Sequence, residues 1–107
     1  MRVPCYLGLV RAELYFRGAR TLKDRRGHLR SLKDRLSNLG FSVSQVGPSN
    51  LVQQAWVAAV IVSGSRARVL SALDRADRLF QDPEWELSAL EKDIISDGEQ
   101  LPDWETV

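Results

Sequence analysis

Apolar and polar positions alternate near the start of the chain, and this period of two predicts a β-strand over residues 5–16. One face of this strand is almost entirely apolar and is the predicted core face. It comprises Gly8, Val10, Ala12, Leu14 and Phe16. The other face is mixed and comprises Leu7, Leu9, Arg11, Glu13 and Tyr15.

The period then changes to that of a helix. Thr21 is a favourable N-cap, Asp24 stands in the first turn where an acid is favoured, and Gly40 is suited to end the helix. The apolar stripe between them comprises Leu22, Leu29, Leu32, Leu36 and Leu39. Arg25 falls within this stripe, and we expect its charged head to reach a carboxylate at the boundary of the core.

Three further elements follow a second strand over residues 41–46 and a turn at residues 47–50. Residues 54–63 are apolar on both faces, which is typical of a central strand. A second helix is indicated by the spacing of Val69, Leu70, Leu73, Ala76, Leu79 and Phe80. Residues 84–95 form the predicted last strand.

The element order β-α-β-β-α-β predicts an α+β fold of the ferredoxin-like, split βαβ type. Its four antiparallel strands have the order 4-1-3-2, and two helices cover one face. We assign residues 1–95 to a single domain and residues 96–107 to an acidic tail. Because the helices cover one face only, one apolar face of the third strand should be bare. That face is either Trp56, Ala58, Val60 and Val62 or Val57, Ala59 and Ile61.

Composition narrows the class of protein. The 107 residues suit one domain, and no apolar run is long enough for a membrane span. The single cysteine, Cys5, and the single histidine, His28, exclude an internal disulfide and a zinc site of the usual kind. With no signal-peptide pattern at the start, the sequence favours a cytoplasmic protein that holds no metal and no cofactor.

Charge is distributed unevenly although the net value is only +1. Residues 1–81 contain 14 Lys/Arg and five Asp/Glu, whereas residues 82–107 contain one and nine. The split indicates an electrostatic partner, or a tail that neutralises the chain's own basic face. In the second case the tail would screen the first helix and weaken its contacts with other anions.

Basic residues line up on one flank of the first helix. Lys23, Arg26, Arg30 and Lys33 have the spacing i, i+3, i+7, i+10, and Arg20 precedes the helix. Such a row can follow the phosphates of RNA by backbone contacts with little sequence specificity. The alternative is a solvated flank whose alkyl stems cover the core. We name these five residues the basic ridge.

The bare sheet face offers a second candidate surface, a homodimer interface. Its predicted residues are Leu7, Leu9, Arg11, Glu13, Trp56 and Ala58. Arg11 of one subunit would meet Glu13 of the other across a two-fold axis. The alternative cover is the chain's own tail, with Leu101 and Trp104 folded over the sheet.

Other residue types that carry chemistry have simpler interpretations. His28 is expected to be a partly buried structural residue, Cys5 to be buried and inert, and Asn50 to bond its own backbone in the turn. Glu91 and Asp93 share a strand face and are expected to be surface charge. The base-stacking signature of RNA-recognition motifs and the phosphate loop of acylphosphatases, which share this fold, are both missing. The sequence therefore indicates no catalytic residues and a protein that is not an enzyme.

Two stretches, "GARTLKDRR" and "VSQVGPSNLVQQA", resemble the YlxP-like family of small bacterial proteins. Thr21, Asp24 and Arg25 replace the family's usual Ser, Glu and Lys, and Gly47 and Leu51 match its second stretch. Asn50 stands where the family often has Asp. The resemblance implies a ferredoxin-like fold and genes that often lie beside those for translation and ribosome maturation. It supplies no catalytic or binding residues.

Three functional hypotheses follow. The first is a non-enzymatic protein that associates with ribosomal RNA or a pre-ribosomal particle through the basic ridge, without DNA sequence specificity or membrane contact. The second is a homodimeric protein-interaction module that uses the bare sheet face and binds no nucleic acid. The third is a small-ligand sensor near Asn50.

Overall fold

The computed structural model describes residues 3–98 and contains the six predicted elements in the predicted order. They are β1 (Cys5–Tyr15), α1 (Leu22–Asn38), β2 (Ser42–Val46), β3 (Gln54–Ser63), α2 (Arg66–Phe80) and β4 (Glu86–Asp97). Within this part of the chain no helix is long and apolar enough to cross a membrane. The predicted tail lies mostly outside the described residues, including Leu101 and Trp104.

The four strands form one antiparallel sheet in the order β2-β3-β1-β4, which confirms the ferredoxin-like fold predicted from the sequence. β1 and β3 are the central pair, in register from Tyr6 opposite Ser63 to Tyr15 opposite Gln54. β4 follows β1 along its whole length, with an irregularity between Glu13 and Leu14. β2 and β4 are therefore the two sheet edges.

The core lies between the sheet and the two helices. The predicted core face of β1 is buried, as are the alternate residues Ala55, Val57 and Ala59 of β3. Gly8 permits α2 to lie close to the sheet, because a Cβ at this position would stand 2.8 Å from Val69 Cγ1. A larger residue at position 8 would push α2 outward.

α1 begins and ends where the sequence predicts. The Thr21 hydroxyl accepts a hydrogen bond from Asp24 N, and the Asp24 carboxylate accepts one from Thr21 N, so the two form a capping box. Beyond the C-terminus, Gly40 adopts a φ of 99°, which a residue with a side chain rarely adopts.

One predicted stripe residue of each helix is exposed, and one residue that was not among the predicted apolar ones is buried. Leu22 is exposed and Arg25 is buried in α1, whereas Leu70 is exposed and Ala72 is buried in α2. The α2 residues that meet the sheet at Gly8 are Val69 and Leu73.

The sheet face away from the helices is bare of any other element among residues 3–98. Its β3 residues are Trp56, Ala58, Val60 and Val62, the first of the two alternatives, since the second set points into the core. Val62 and Ile95 are 65% and 48% exposed. We call this surface the open sheet face.

Candidate nucleic-acid interface and open sheet face

The basic ridge lies in solvent along α1. Arg20, Lys23, Arg26 and Arg30 are exposed, and Lys33 is half-buried. Lys23 and Lys33 are separated by about 15 Å along the helix axis, from a rise of 1.5 Å per residue. Within residues 3–98, none of the five side chains forms a hydrogen bond or an ion pair. The ridge therefore presents five cations whose charge no neighbouring carboxylate in this range neutralises.

Several cations outside the ridge are paired. Arg17 Nη2 lies 2.6 Å from Glu86 Oε1, and Arg35 Nη2 lies 2.9 Å from Asp82 Oδ2. Lys92 of β4 pairs with Asp77 of α2 on the helix-covered side of the sheet. These contacts hold loops and elements together, whereas the ridge cations make no such contact and are available to a partner.

Asp24 and Asp34 are the two acids of α1, and neither pairs with the ridge. Asp24 accepts backbone hydrogen bonds from Arg20 N at 3.0 Å and Thr21 N at 3.2 Å. The bond from Arg20 N is the main reason that the pKa of this carboxyl is below its usual value. Asp34 is exposed beside Arg30 and forms no ion pair within the described part of the chain. It reduces the net charge of the ridge at one point only.

Arg25 does not reach a carboxylate, so the sequence-based expectation was wrong. Its side chain is 2% exposed, with Nε donating to Gln54 O at 2.9 Å and Nη2 donating to Pro48 O at 3.2 Å. With the Gln45 amide turned to satisfy both groups, its oxygen accepts from Nη1 and Nη2 at 3.1 and 3.2 Å. The guanidinium thus binds the backbone carbonyls of Pro48 and Gln54 to α1, and it pairs with no acid of residues 3–98. Burial lowers its pKa below the ordinary value.

The opposite flank of α1 contacts the segment that follows α2. His28 is half-buried and stacks on Phe16 with ring centroids 5.0 Å apart, and its Nδ1 lies 3.0 Å from Glu84 Oε2. Ser31 Oγ also donates to Glu84, at 3.3 Å. His28 is therefore the partly buried structural residue that the sequence predicts. Since this flank faces α2, the basic ridge turns away from it.

Trp85 is a central residue of this region that the sequence pattern did not reveal. It is buried, and its indole N–H donates to Phe80 O at 3.2 Å. Its ring meets Phe16 edge-on and lies 5.3 Å from the Arg35 guanidinium. The residue stands in a short connection without periodicity, so only its size and apolar character signalled burial.

Acidic residues occupy one side of the open sheet face. In register across the sheet, Trp56 stands opposite Glu13, Arg11 stands between Ala58 and Glu91, and Leu9 stands opposite Asp93. The face is thus apolar on β3 and at Leu7 and Leu9 of β1, charged at Arg11 and Glu13 farther along β1, and acidic towards β4. A depression of about 230 Å³ opens on it, lined in part by Arg11, Glu13, Trp56 and Glu91.

The remaining candidates do not form a reactive cluster. Cys5 is half-buried rather than buried, because it lies on the open sheet face opposite Asp97. Asn50 is exposed, and its side chain makes no hydrogen bond within residues 3–98, so the expected bond to its own backbone is not formed. A cleft near it is lined by Tyr15, Ala19, Arg20 and residues 51–54. No group of three or more metal-ligating side chains occurs in the described part of the chain.

Solved structures with a similar fold are distant in sequence. The designed protein Foldit4 has 9% identity and a TM-score of 0.49, over 90% of this chain and 99% of its own. SnoaB, a cofactor-independent oxygenase from Streptomyces nogalater, has 15% identity and a TM-score of 0.47. The match covers 92% of this chain and 98% of SnoaB. A dimeric ferredoxin-like protein from an uncultured marine organism has 12% identity and a TM-score of 0.46, and the match covers 92% of this chain and 91% of that protein. These likenesses concern the fold alone.

No curated protein matches this chain. Residues 7–92 match the protein family DUF503, described as a protein of unknown function. This range begins in β1, ends in β4 and includes the basic ridge and most of the open sheet face. The chain therefore belongs to the DUF503 family.

Proposed function

We propose that this protein associates with RNA through the basic ridge, as a non-enzymatic accessory of ribosomal RNA or of a pre-ribosomal particle. The observation that carries the proposal is a row of five cations that have no partner among residues 3–98, four of them on α1 and Arg20 just before it. Cations that release counterions from phosphates provide most of the affinity of such contacts. Placement on one helix, with no aromatic side chain among the five, favours backbone contacts and little sequence specificity.

The open sheet face is a poor surface for RNA. Glu13, Glu91 and Asp93 repel phosphates there, and Arg11 is the one cation of that face among the described residues. Trp56 stands directly opposite Glu13, so a base stacked on its ring would bring a phosphate close to a carboxylate. RNA should therefore contact the helix side of the molecule.

Fluorescence anisotropy with a labelled single-stranded RNA and a labelled RNA duplex tests this proposal. The double variant Arg26→Glu/Arg30→Glu should lose most of its affinity for both. The matched control is Arg66→Glu/Arg78→Glu on α2, which changes the net charge equally. Equal losses in both double variants would show that net charge alone attracts the RNA, and the ridge proposal would be wrong.

A second candidate, a homodimer through the open sheet face, is favoured by the exposed apolar residues Val46, Val60, Val62 and Ile95. Two-fold stacking that laid β4 over β4 would bring Glu91 and Asp93 of the two copies together. Stacking that lays β4 of one copy over β2 of the other places these carboxylates near Ser42 and Ser44, whose hydroxyls can donate to them. Charge therefore selects the second arrangement.

Sedimentation velocity at high micromolar concentration tests the dimer. The wild-type chain should sediment as a dimer, and Val62→Asp should sediment as a monomer, because it places a carboxylate among the exposed apolar residues of this face. Leu70→Asp is the matched control, since Leu70 is 39% exposed on α2, on the other side of the molecule. A wild-type monomer at this concentration would contradict the proposal.

A further inference from the structure

A cleft of about 400 Å³ lies between the two helices, where α1 ends and α2 begins. Its floor is Ile61, on the helix-covered side of β3, and one wall is formed by Leu39 and Gly40. Val62 borders the cleft at the end of the strand, although its side chain belongs to the open sheet face. The other wall is a polar face of α2. It comprises Arg68, Ser71 and Arg75, with Ala72 below and Ser63 at the rim.

The two arginines lie on one side of α2, seven residues and about 10 Å apart along the axis, with Ser71 between them. Within residues 3–98 neither guanidinium forms a hydrogen bond or an ion pair. Among the described residues, no acid lines the cleft. Asp74, the nearest acid in sequence, does not line it and is exposed to solvent.

We propose that this cleft binds a phosphate group. Guanidinium groups present paired N–H donors that match phosphate oxygens, and the hydroxyls of Ser63 and Ser71 add two donors between them. Leu39 and Ile61 add apolar contact area beside these donors. A bound anion would also relieve the repulsion between two like charges that share a cleft.

This site is separate from the basic ridge. The ridge lies on the flank of α1 that turns away from α2, whereas the cleft lies between the helices. Phosphate binding in the cleft does not require that the ridge bind RNA, so the two proposals can fail independently.

A titration with inorganic pyrophosphate, followed by backbone amide NMR at constant ionic strength, tests the site. We expect saturable shifts at Ser63, Arg68, Ser71 and Arg75, and no such shifts with chloride. The double variant Arg68→Gln/Arg75→Gln should raise the apparent dissociation constant by about tenfold or more, since it removes two charge-assisted donors. The control Arg66→Gln/Arg78→Gln removes the same charge from α2 outside the cleft and should bind pyrophosphate as the wild type does.

Ser71→Glu is a second test that does not depend on removing the arginines. Its carboxylate would stand between them as an internal substitute for the anion, so pyrophosphate binding should be lost while the fold is kept. The proposal is wrong if no saturable shift occurs, if the shifts map elsewhere, or if both glutamine double variants lose affinity equally.

Two RNA oligonucleotides identify the source of the phosphate. A decamer with a 5′-phosphate and the same decamer with a 5′-hydroxyl are compared on the wild type and on Arg68→Gln/Arg75→Gln. A loss confined to the 5′-phosphorylated strand assigns the cleft to a strand terminus, and an equal loss for both assigns it to internal phosphates. If the variant changes neither while pyrophosphate still binds the wild type, the ligand is a free phosphate compound.

Discussion

The basic ridge and the open sheet face differ in the kind of side chain that they expose to solvent. On and just before α1, four exposed cations and the half-buried Lys33 have no partners among residues 3–98. On the open sheet face, apolar side chains stand in solvent and the charged ones are mostly acidic. Within residues 3–98 the basic ridge thus lies on the helix side of the domain and turns away from α2, whereas Glu91 and Asp93 lie on the open sheet face along the edge strand β4.

The basic ridge and the open sheet face thus provide two different kinds of contact on one fold. A row of free cations gives a partner long-range attraction that depends on salt and carries little specificity. An apolar sheet face gives short-range contact that depends on shape and on the exclusion of water. The basic ridge is therefore suited to phosphates, and the open sheet face is suited to contact with another protein surface.

We expect the largest effect when the same substitution, leucine to alanine, is made on each of the two faces of β1. Leu14→Ala removes a fully buried side chain and should lower the free energy of unfolding by about 2–5 kcal/mol. Leu9→Ala, on the open sheet face of the same strand, should lower it by about 1 kcal/mol or less. Urea unfolding at submicromolar concentration, where subunits are dissociated, measures both. Equal losses would show that the open face is packed within the monomer.

We expect the next largest effect on stability when lysine replaces one of two neighbouring arginines on α1. Arg25→Lys cannot keep all the donors to Gln54 O, Pro48 O and the Gln45 amide, and should lower the free energy of unfolding by about 1–3 kcal/mol. Arg26→Lys, an exposed ridge residue, should change it by about 0.5 kcal/mol at most. Thermal unfolding of both variants is the measurement. If the two are equally stable, the buried guanidinium does not fix the 48–54 segment.

The sequence predicts most of this architecture, since its periodicities are local. The bounds of β3 and the capping of α1 follow directly from alternation and from Thr21 and Gly40. Arg25 could not be placed, because its partners are carbonyls from residues distant along the chain. The shift of β4 to Glu86–Asp97, from the predicted 84–95, has a similar cause, since its register is set by pairing with β1.

The candidate sites were predictable to different degrees. The ridge needed only helical spacing, so its exposure was foreseen. Which face of β3 is bare depends on the side from which the helices cover the sheet, and the sequence left two alternatives. The cleft with Arg68 and Arg75 was not foreseen, because it is formed by the end of one helix, the start of another and a strand end.

We expect the smallest effect on the acid sensitivity of thermal stability, at the ion pair between Arg35 of α1 and Asp82. The backbone N–H of Glu84, and then Arg35, hold the pKa of Asp82 below its usual value. A lowered folded-state pKa contributes stability that is present above the unfolded value, near 4, and is lost as the pH falls through the folded value. Asp82→Asn should therefore lower the melting temperature near neutral pH and reduce its decline below pH 4.

Asp34→Asn is the control for this effect, since Asp34 forms no ion pair within the described residues. Melting temperatures from pH 2.5 to 7 for the wild type and both variants are compared. If the difference between wild type and Asp82→Asn stays constant over this range, the carboxylate of Asp82 stabilises the fold by its shape and not by its charge.

The salt dependence of RNA affinity distinguishes binding of RNA phosphates by the basic ridge from other modes of attachment. Contact with about four phosphates predicts a slope of roughly −3 to −4 for log affinity against log salt concentration. Arg26→Glu/Arg30→Glu should abolish binding, and the single variant Arg30→Gln should make the slope shallower by about 1. RNA binding that ignores both the salt concentration and these substitutions would contradict the account.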